Sequence, residues 1–157
     1  MTRERLYCAY IEELKFFNPM LQNKTVESEI ADYNTVSNFD DLTWIDIYDG
    51  PEKVGFVLVA TGEHCPVDAD YLIMETYVHP NHRSKGLCFK TIDKLFKDNP
   101  GNCGLFILNS NVEAHKFWNK VLESHKDSIT KLPTSGQYDS MWCKYYLWSI
   151  KNNTVNT

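Results

Sequence analysis

Residues Tyr71 to Cys88 read YLIMETYVHPNHRSKGLC, and the rest of the fold can be predicted around this segment. Its first half is apolar and rich in β-branched and aromatic side chains, which is typical of a strand buried on both faces. Pro80 ends that strand because proline cannot donate to the ladder. After Gly86 the apolar residues recur at helical spacing, at Cys88, Ile92, Leu95 and Phe96. The segment therefore predicts a strand, a polar loop and a helix in immediate succession.

The loop in front of this helix has the features of an anion site. The first backbone N–H groups of a helix have no partner within it, and the helix dipole favours negative charge there. Arg83 and Lys85 add positive charge, and Gly86 lets a ligand approach the backbone closely. A solvated turn is the alternative for these residues taken alone.

Two blocks of the chain together resemble a known family. The first is RSKGLC at residues 83–88, preceded by VHP, and the second is NVEAHKFW at residues 111–118. They are similar to the Arg/Gln-x-x-Gly-x-Gly/Ala loop and the Asn-x-x-Ala-x-x-Phe-Tyr helix of the GCN5-related N-acetyltransferase (GNAT) superfamily. The resemblance covers residues 43–122. It departs from the family at Cys88, where a small residue is usual, and at Trp118, where many relatives have a tyrosine that protonates the leaving thiolate.

The resemblance implies a fold and a cofactor. The implied fold is a single α/β (α+β) domain with a mixed, mostly antiparallel sheet flanked by helices and a parallel strand-helix-strand unit that binds a pyrophosphate. The implied cofactor is acetyl-coenzyme A, used as a co-substrate without a metal. The matching positions are Val78, Arg83, Ser84, Lys85, Gly86, Leu87, Cys88, Asn111 and Phe117.

Two of these positions carry a specific role in the family. The backbone N–H near Val78 binds the thioester carbonyl, which is catalysis by preorganised donors, although Val78 is also a core residue by pattern. Asn111 matches an asparagine that contacts the pantetheine arm, whereas an asparagine at a helix start is by itself more often a cap. Phe117 is expected to pack in the core and to wall the cofactor channel.

Acetyl transfer to a primary amine needs a proton acceptor, because an amine of pKa about 10.4 is mostly protonated at neutral pH. Glu75 is the strongest candidate, since a carboxyl in an apolar strand is costly unless it is paired or functional; a base and a structural partner remain equal alternatives. Strand alternation places Glu75 and Tyr77 on one face and Met74 on the other. An indole N–H cannot replace the tyrosine as proton donor. The substitutes are solvent, Tyr77, Tyr145 and Tyr146.

Composition bounds the class of protein. A length of 157 residues fits one domain, predicted at residues 1–151, with a disordered tail at residues 152–157. The net charge of −5 argues against nucleic-acid binding and is compatible with steering a cationic amine. The five cysteines are odd in number and lack paired metal-ligand spacing, which favours a reducing, cytoplasmic setting and argues against zinc. No apolar stretch approaches the ~20 residues needed to cross a bilayer.

Periodicity predicts the remaining elements. Helices are expected at residues 4–17 and 25–36, and strands at residues 43–48, 53–60, 105–108, near 129 and at 141–150. The second helix has Val26, Ile30 and Tyr33 at helical spacing. The family usually begins with a strand, which is expected to be absent or displaced here. Ser110 followed by Glu113 predicts a capping box. The helix behind it has an apolar stripe of Ala114, Phe117, Trp118, Val121 and Leu122.

Two functions of different class fit these observations. The first is an N-acetyltransferase that transfers an acetyl group from acetyl-coenzyme A, by direct attack in a ternary complex, to a small-molecule amine or a protein amino group. The second is a catalytically degenerate relative that binds coenzyme A or a protein partner, supported by Trp118 and by the lack of the Gly-Phe that follows the later helix in the family. The intact loop favours the enzyme. A membrane partner is not expected, and a homodimer is left open.

Overall fold

The computed structural model describes residues 1–152, so the predicted disordered tail lies outside the described residues except for Asn152. The helices are α1 (Arg3–Leu14), α2 (Val26–Ser37), α3 (Leu87–Asp98) and α4 (Val112–Ser124). The strands are β1 (Leu42–Asp49), β2 (Glu52–Ala60), β3 (Tyr71–Val78), β4 (Gly101–Leu108), β5 (Ile129–Leu132) and β6 (Cys143–Ile150). No helix in this range is long and apolar enough to span a membrane.

The strands form one six-stranded sheet in the order β1-β2-β3-β4-β6-β5. Among these strands only the pair β3 and β4 is parallel, and α3 makes the crossover between them. The other four pairs are antiparallel. The prediction of a mixed, mostly antiparallel sheet with a parallel strand-helix-strand unit is therefore confirmed. Within the described residues no strand precedes α1, as expected for a chain whose first family strand is absent or displaced.

Each face of the sheet carries its own hydrophobic core. One core packs the sheet against α3 and α4, and includes Ile73, Ile92, Leu105, Trp118 and Val121. The other packs it against α1 and part of α2, and includes Leu6, Tyr10, Phe56, Leu58 and Tyr77. The sheet is thus the middle layer of three.

The two first helices differ from their predicted limits and faces. Helix α1 ends at Leu14 rather than Phe17, because Asn18 precedes a proline and caps the next short turn through its side chain. In α2, Thr25 forms a capping box with Ser28, and this places Val26 at the exposed first position, where 58% of its surface is accessible. The predicted stripe is wrong at Val26.

Glu29 takes an inward position of α2 instead. Its side chain is fully buried and lies 2.8 Å from the Lys15 ammonium at the end of α1. Burial raises the pKa of the Glu29 carboxyl, and Lys15 opposes that shift. The interface between α1 and α2 thus contains an ion pair between a buried carboxyl and a partly exposed ammonium, which apolar periodicity could not reveal.

Candidate active site

The sheet opens between β3 and β4. Their parallel pairing runs only from Tyr71 opposite Cys103 to Ile73 opposite Leu105. Yet β3 remains paired with β2 as far as Val78, and β4 with β6 as far as Leu108. The ends of β3 and β4 are therefore separated by a cleft whose walls carry unpaired backbone groups.

Two residues of β3 direct their backbone into this cleft. The N–H of His79 donates to Val54 O at 2.8 Å, and Val78 lies opposite Gly55. In an antiparallel ladder this pattern makes Val78 and Gly55 a non-hydrogen-bonded pair, so the N–H and C=O of Val78 point away from β2. The same holds two residues earlier for Thr76, opposite Val57. The hydroxyl oxygen of Thr76 is also buried without a hydrogen-bond partner. The backbone groups of Thr76 and the N–H of Val78 can bind an extended ligand along the edge of β3.

The loop after β3 presents its amides beside this cleft. Ser84 has φ +63°, and Gly86, the N-cap residue immediately before α3, has φ +72° and ψ +11°. The left-handed conformation is uncommon for serine and easy for glycine. A Cβ added at Gly86 would meet nothing within 4 Å, so the space above it is open. Successive amides in such a turn, together with the first turn of a helix, form an anion-binding concavity.

Both cations of the loop are bound to carboxylates. An Arg83 Nη2 atom lies 2.5 Å from Glu13 of α1, and its Nε donates to Val78 O at 2.8 Å. Lys85 Nζ lies 2.5 Å from Asp49, which also accepts from His82 at 2.8 Å. Lys85 and His82 hold the pKa of Asp49 below its usual value. Acids from α1 and from the end of β1 thus hold the loop on both sides.

Glu75 lies on the α1 face and is hydrogen-bonded by the hydroxyl of Tyr10. Desolvation raises the pKa of the Glu75 carboxyl to about 8. A carboxyl with this pKa exchanges its proton near neutral pH, which suits either proton transfer or a neutral structural hydrogen bond. The structure provides a partner and leaves both sequence alternatives standing.

A β-bulge corrects the predicted alternation along β3. Leu58 pairs with Glu75 while Val59 pairs with Ile73, so Met74 is the extra residue. Because a bulge shifts the alternation by one residue, Met74 packs on the same side as Tyr77 and not on the opposite side as predicted. The bulge brings Glu75 and Tyr77 onto the α1 face together with Leu72.

The other side chains considered as proton donors differ in their surroundings. Tyr77 is 5% exposed, and desolvation raises the pKa of its hydroxyl. Tyr145 is buried and donates to Asp68 at 2.9 Å, which gives it a structural role. Tyr146 is partly buried against the α3 and α4 core. Burial raises the pKa of the Cys88 thiol to about 12, so this thiol stays protonated at neutral pH.

The start of α4 is capped differently from the prediction. The cap residue is Asn111, whose side-chain oxygen accepts from the N–H of Ala114 at 3.0 Å. Ser110 instead donates to the carbonyl of Phe17 at 3.2 Å. The capping box of Ser110 and Glu113 is therefore wrong, because an asparagine one residue later satisfies the helix and leaves Ser110 to fasten the segment after α1. The stripe of α4 is confirmed.

Trp118 is buried, with 6% of its surface accessible. Its ring lies at 5.0 Å from that of Phe117 and at 5.8 Å from that of Trp148, both in edge-on arrangements. Phe117, partly buried, packs against the same core. The side chain at the family's tyrosine position thus fills space and carries no hydroxyl.

The model of the acetyltransferase (GNAT) family matches residues 6–123 of this chain. The chain belongs to the GNAT acetyltransferase family. The match includes the loop at residues 83–88, the cleft between β3 and β4, and all of α4 except Ser124. A search of curated proteins found no match.

Solved structures share the fold at low identity. An acetyltransferase from Thermus thermophilus is 13% identical, with a TM-score of 0.63 over 92% of this chain and 86% of that one. The PaiA N-acetyltransferase from Thermoplasma acidophilum, solved with coenzyme A, is 12% identical, with a TM-score of 0.56 over 94% and 90%. NAA60 from Arabidopsis thaliana, solved with a bisubstrate analogue, is 14% identical, with a TM-score of 0.53 over 94% and 95%.

Three residues of this GNAT site were missed by sequence reasoning. Thr76 is a polar residue in an apolar strand, and that signal was available. Tyr10 falls within the predicted helix at residues 4–17, and no local pattern indicates a partner for its hydroxyl. Glu13 lies 70 residues from Arg83, and no local pattern links the two positions.

Proposed function

We propose that this protein is an N-acetyltransferase that transfers an acetyl group from acetyl-coenzyme A to a primary amine by direct attack in a ternary complex. The observation that carries the proposal is the cleft between β3 and β4, with the Val78 N–H directed into it and a loop of accessible amides immediately behind. The pyrophosphate of coenzyme A needs the loop, and its extended pantetheine arm needs the open strand edge, so the two features must lie side by side.

The proposed cofactor site follows the cleft. The amides of Ser84, Lys85, Gly86, Leu87 and Cys88 bind the pyrophosphate, helped by the α3 dipole. The pantetheine arm lies along the open edge of β3 at Thr76 and Val78. Asn111 uses its side-chain oxygen as a cap, and its amide nitrogen would donate to the arm, while Phe117 walls the channel. A structural neighbour solved with coenzyme A supports coenzyme A as the cofactor.

In the proposed reaction the amine nitrogen attacks the thioester carbonyl carbon. The Val78 N–H stabilises the negative charge that develops on the carbonyl oxygen. The C–S bond then breaks, coenzyme A leaves as a thiolate and takes a proton from solvent or from Tyr77. The proton lost by the amine goes to Glu75.

Water must bridge the amine and Glu75. Glu75 and Val78 are three residues apart on β3, which is about 10 Å along a strand. A glutamate side chain does not cover that distance, so the proton passes through one or more waters on the α1 face. Because the pKa of Glu75 is about 8, its basic form becomes abundant only as the pH rises towards that value.

The compartment and the acceptor are parts of the same proposal. All five cysteines carry free thiols, which is compatible with a reducing compartment such as the cytoplasm. The acceptor is a small-molecule amine or a protein amino group.

The test is thiol release from acetyl-coenzyme A across a panel of primary amines, combined with detection of the acetylated product by mass spectrometry. We expect acceptor-dependent release of one thiol for each acetyl group transferred. Calorimetric binding of coenzyme A without release on any acceptor would contradict the proposal.

That contrary outcome would support the second candidate, a degenerate coenzyme A-binding or protein-interaction module. The observation that favours it is the burial of Trp118 where the family has a tyrosine. Trp118→Tyr separates the two. In an enzyme slowed by thiolate expulsion it should raise turnover with little change in coenzyme A affinity. A folded Trp118→Tyr protein that binds coenzyme A and stays inert towards the panel would favour the module.

A further inference from the structure

Glu13 connects α1 to the loop between β3 and α3. Its carboxylate, at the end of α1, lies 2.5 Å from Arg83. The Arg83 guanidinium also binds the carbonyl oxygen of Val78, and lies 5.6 Å from the centre of the Tyr77 ring. Because the N–H and C=O of Val78 share one edge of β3, the arginine crosses the edge that the thioester arm is proposed to occupy.

Cofactor binding must therefore change the partners of Arg83. The pantetheine arm competes for the edge at Val78, and the pyrophosphate offers the guanidinium a more highly charged acceptor than one carboxylate. When Arg83 moves to the phosphates, Glu13 loses its cation. The carboxylate then faces the α1 side of β3 beside Tyr77, whose pKa it helps to raise.

We infer that Glu13 binds the ammonium group of the acceptor after the cofactor has drawn Arg83 away. This inference rests on the proposed function and adds a substrate class to it: an alkylamine, which is cationic at neutral pH, rather than an arylamine. The amine arrives as an ammonium ion at Glu13, gives one proton through water to Glu75, and attacks as the free amine. Glu75 passes that proton to solvent and accepts the second proton, which the nitrogen loses once the C–N bond has formed. Glu13 thus pairs first with Arg83 and then with the ammonium group of the acceptor. The cofactor must therefore bind before the amine.

The neighbouring acids do not share this position. Glu12, the residue before Glu13, pairs with Lys15 and is exposed. Asp49, at the end of β1, pairs with Lys85 and His82 rather than with Arg83. Glu12 is therefore a matched control: it has the same charge and the same helix without contact to the loop.

The first measurement is calorimetric titration of coenzyme A into the wild type, Glu13→Gln and Glu12→Gln. Loss of Glu13 removes a competitor for Arg83, so Glu13→Gln should bind coenzyme A about two- to fivefold more tightly, the range expected for one partly exposed ion pair. Glu12→Gln should match the wild type. Equal affinity in all three proteins would overturn the exchange of partners.

The second measurement is titration of phenethylamine and aniline into the coenzyme A-loaded proteins. The wild type should bind phenethylamine, which is an ammonium ion at neutral pH, and discriminate against neutral aniline. Glu13→Gln should weaken phenethylamine binding on the order of 10- to 100-fold, the range for a hydrogen bond to a charged group, and leave aniline unchanged. Absent or unchanged phenethylamine binding would overturn the inference.

Failure of the proposed function has a different signature. It would appear as a wild type that does not bind coenzyme A, or that binds it without releasing thiol on any amine. Failure of the present inference would appear as an active wild type whose affinities for coenzyme A and for phenethylamine are both unaffected by Glu13→Gln. In kinetics, Glu13→Gln should raise KM for an alkylamine and leave kcat within about threefold; a fall in kcat with unchanged KM would contradict an amine-binding role.

Discussion

The face of the sheet covered by α3 and α4 and the face covered by α1 and α2 use different side chains. The first is mostly aliphatic, with two tryptophans at its centre. The second holds an aromatic network of Tyr7, Tyr10, Phe56 and Tyr77, in which contacting rings lie 5.7 to 6.4 Å apart.

The tyrosine hydroxyls of the α1 face give this face hydrogen-bond donors in addition to packing. Aliphatic side chains provide packing and fixed geometry, whereas tyrosines provide packing together with a donor. On the α1 face the hydroxyl of Tyr10 supplies a donor to the partly buried carboxyl of Glu75. In the proposed function, the α3 and α4 face fixes the backbone that binds the cofactor, and the α1 face offers the titratable groups that the proposed amine acceptor requires.

If the α3 and α4 face is a packed scaffold, Trp118→Ala should have the largest effect of the proposed substitutions. Truncating a buried tryptophan leaves a cavity and should lower the free energy of unfolding by roughly 3 to 5 kcal/mol. Denaturant unfolding measures this loss. Trp142→Ala is the control, because Trp142 is 36% exposed and should lose much less. Similar losses at the two positions would show that Trp118 is not central to that core.

If the α1 face carries the proton transfer, Glu75→Gln should lower turnover by about 100-fold, the lower end for general-base catalysis. In the wild type, activity should rise with pH through about 8 as Glu75 loses its proton, and this limb should disappear in the variant. Tyr10→Phe should move the limb to higher pH, since it removes a donor to the carboxylate.

The same residue predicts a pH dependence of stability. Because the pKa of Glu75 is higher in the folded state than in the unfolded state, its contribution to the free energy of unfolding is fully present below the unfolded pKa. That contribution is lost as the pH rises towards about 8. Glu75→Gln should remove that loss. A variant that loses turnover equally at every pH, with lower thermal stability, would mark Glu75 as a structural partner only.

The cofactor loop should depend on its glycine more than on its charges. Gly86→Glu should weaken coenzyme A binding by at least about tenfold, because it obstructs the open space above the loop and strains a left-handed residue. Gly136→Glu is the matched control, since Gly136 also has a positive φ, +79°, in the segment between β5 and β6. Unchanged affinity in a folded Gly86→Glu protein would refute the loop assignment.

The cap of α4 tests the smallest effect. Asn111→Ala should lower stability by about 1 kcal/mol, the usual cost of removing a side-chain cap. Ser110→Ala should cost less, because Ser110 bonds only the exposed carbonyl of Phe17. Thermal unfolding compares the two. A larger loss at Ser110 would restore the predicted capping box.

Local patterns predicted the elements that form the proposed cofactor site. The strand at residues 71–78, the loop with Gly86 and the stripe of α4 each depend on neighbours in sequence. Polarity within a turn, helical spacing and the conformational freedom of glycine act over a few residues, so their structural result can be read directly from the chain. The parallel order of β3 and β4 followed from the short crossover helix between them.

Contacts between distant parts of the chain could not be predicted in this way. The bulge at Met74 depends on the register between β2 and β3, the partner of Glu75 is 65 residues away at Tyr10, and that of Arg83 is 70 residues away at Glu13. The sequence determined which side chains are present and which backbone groups lie outside regular hydrogen-bonded structure. Tertiary packing set which charges meet, because the low cost of an ion pair or buried carboxyl depends on a partner that no local pattern specifies.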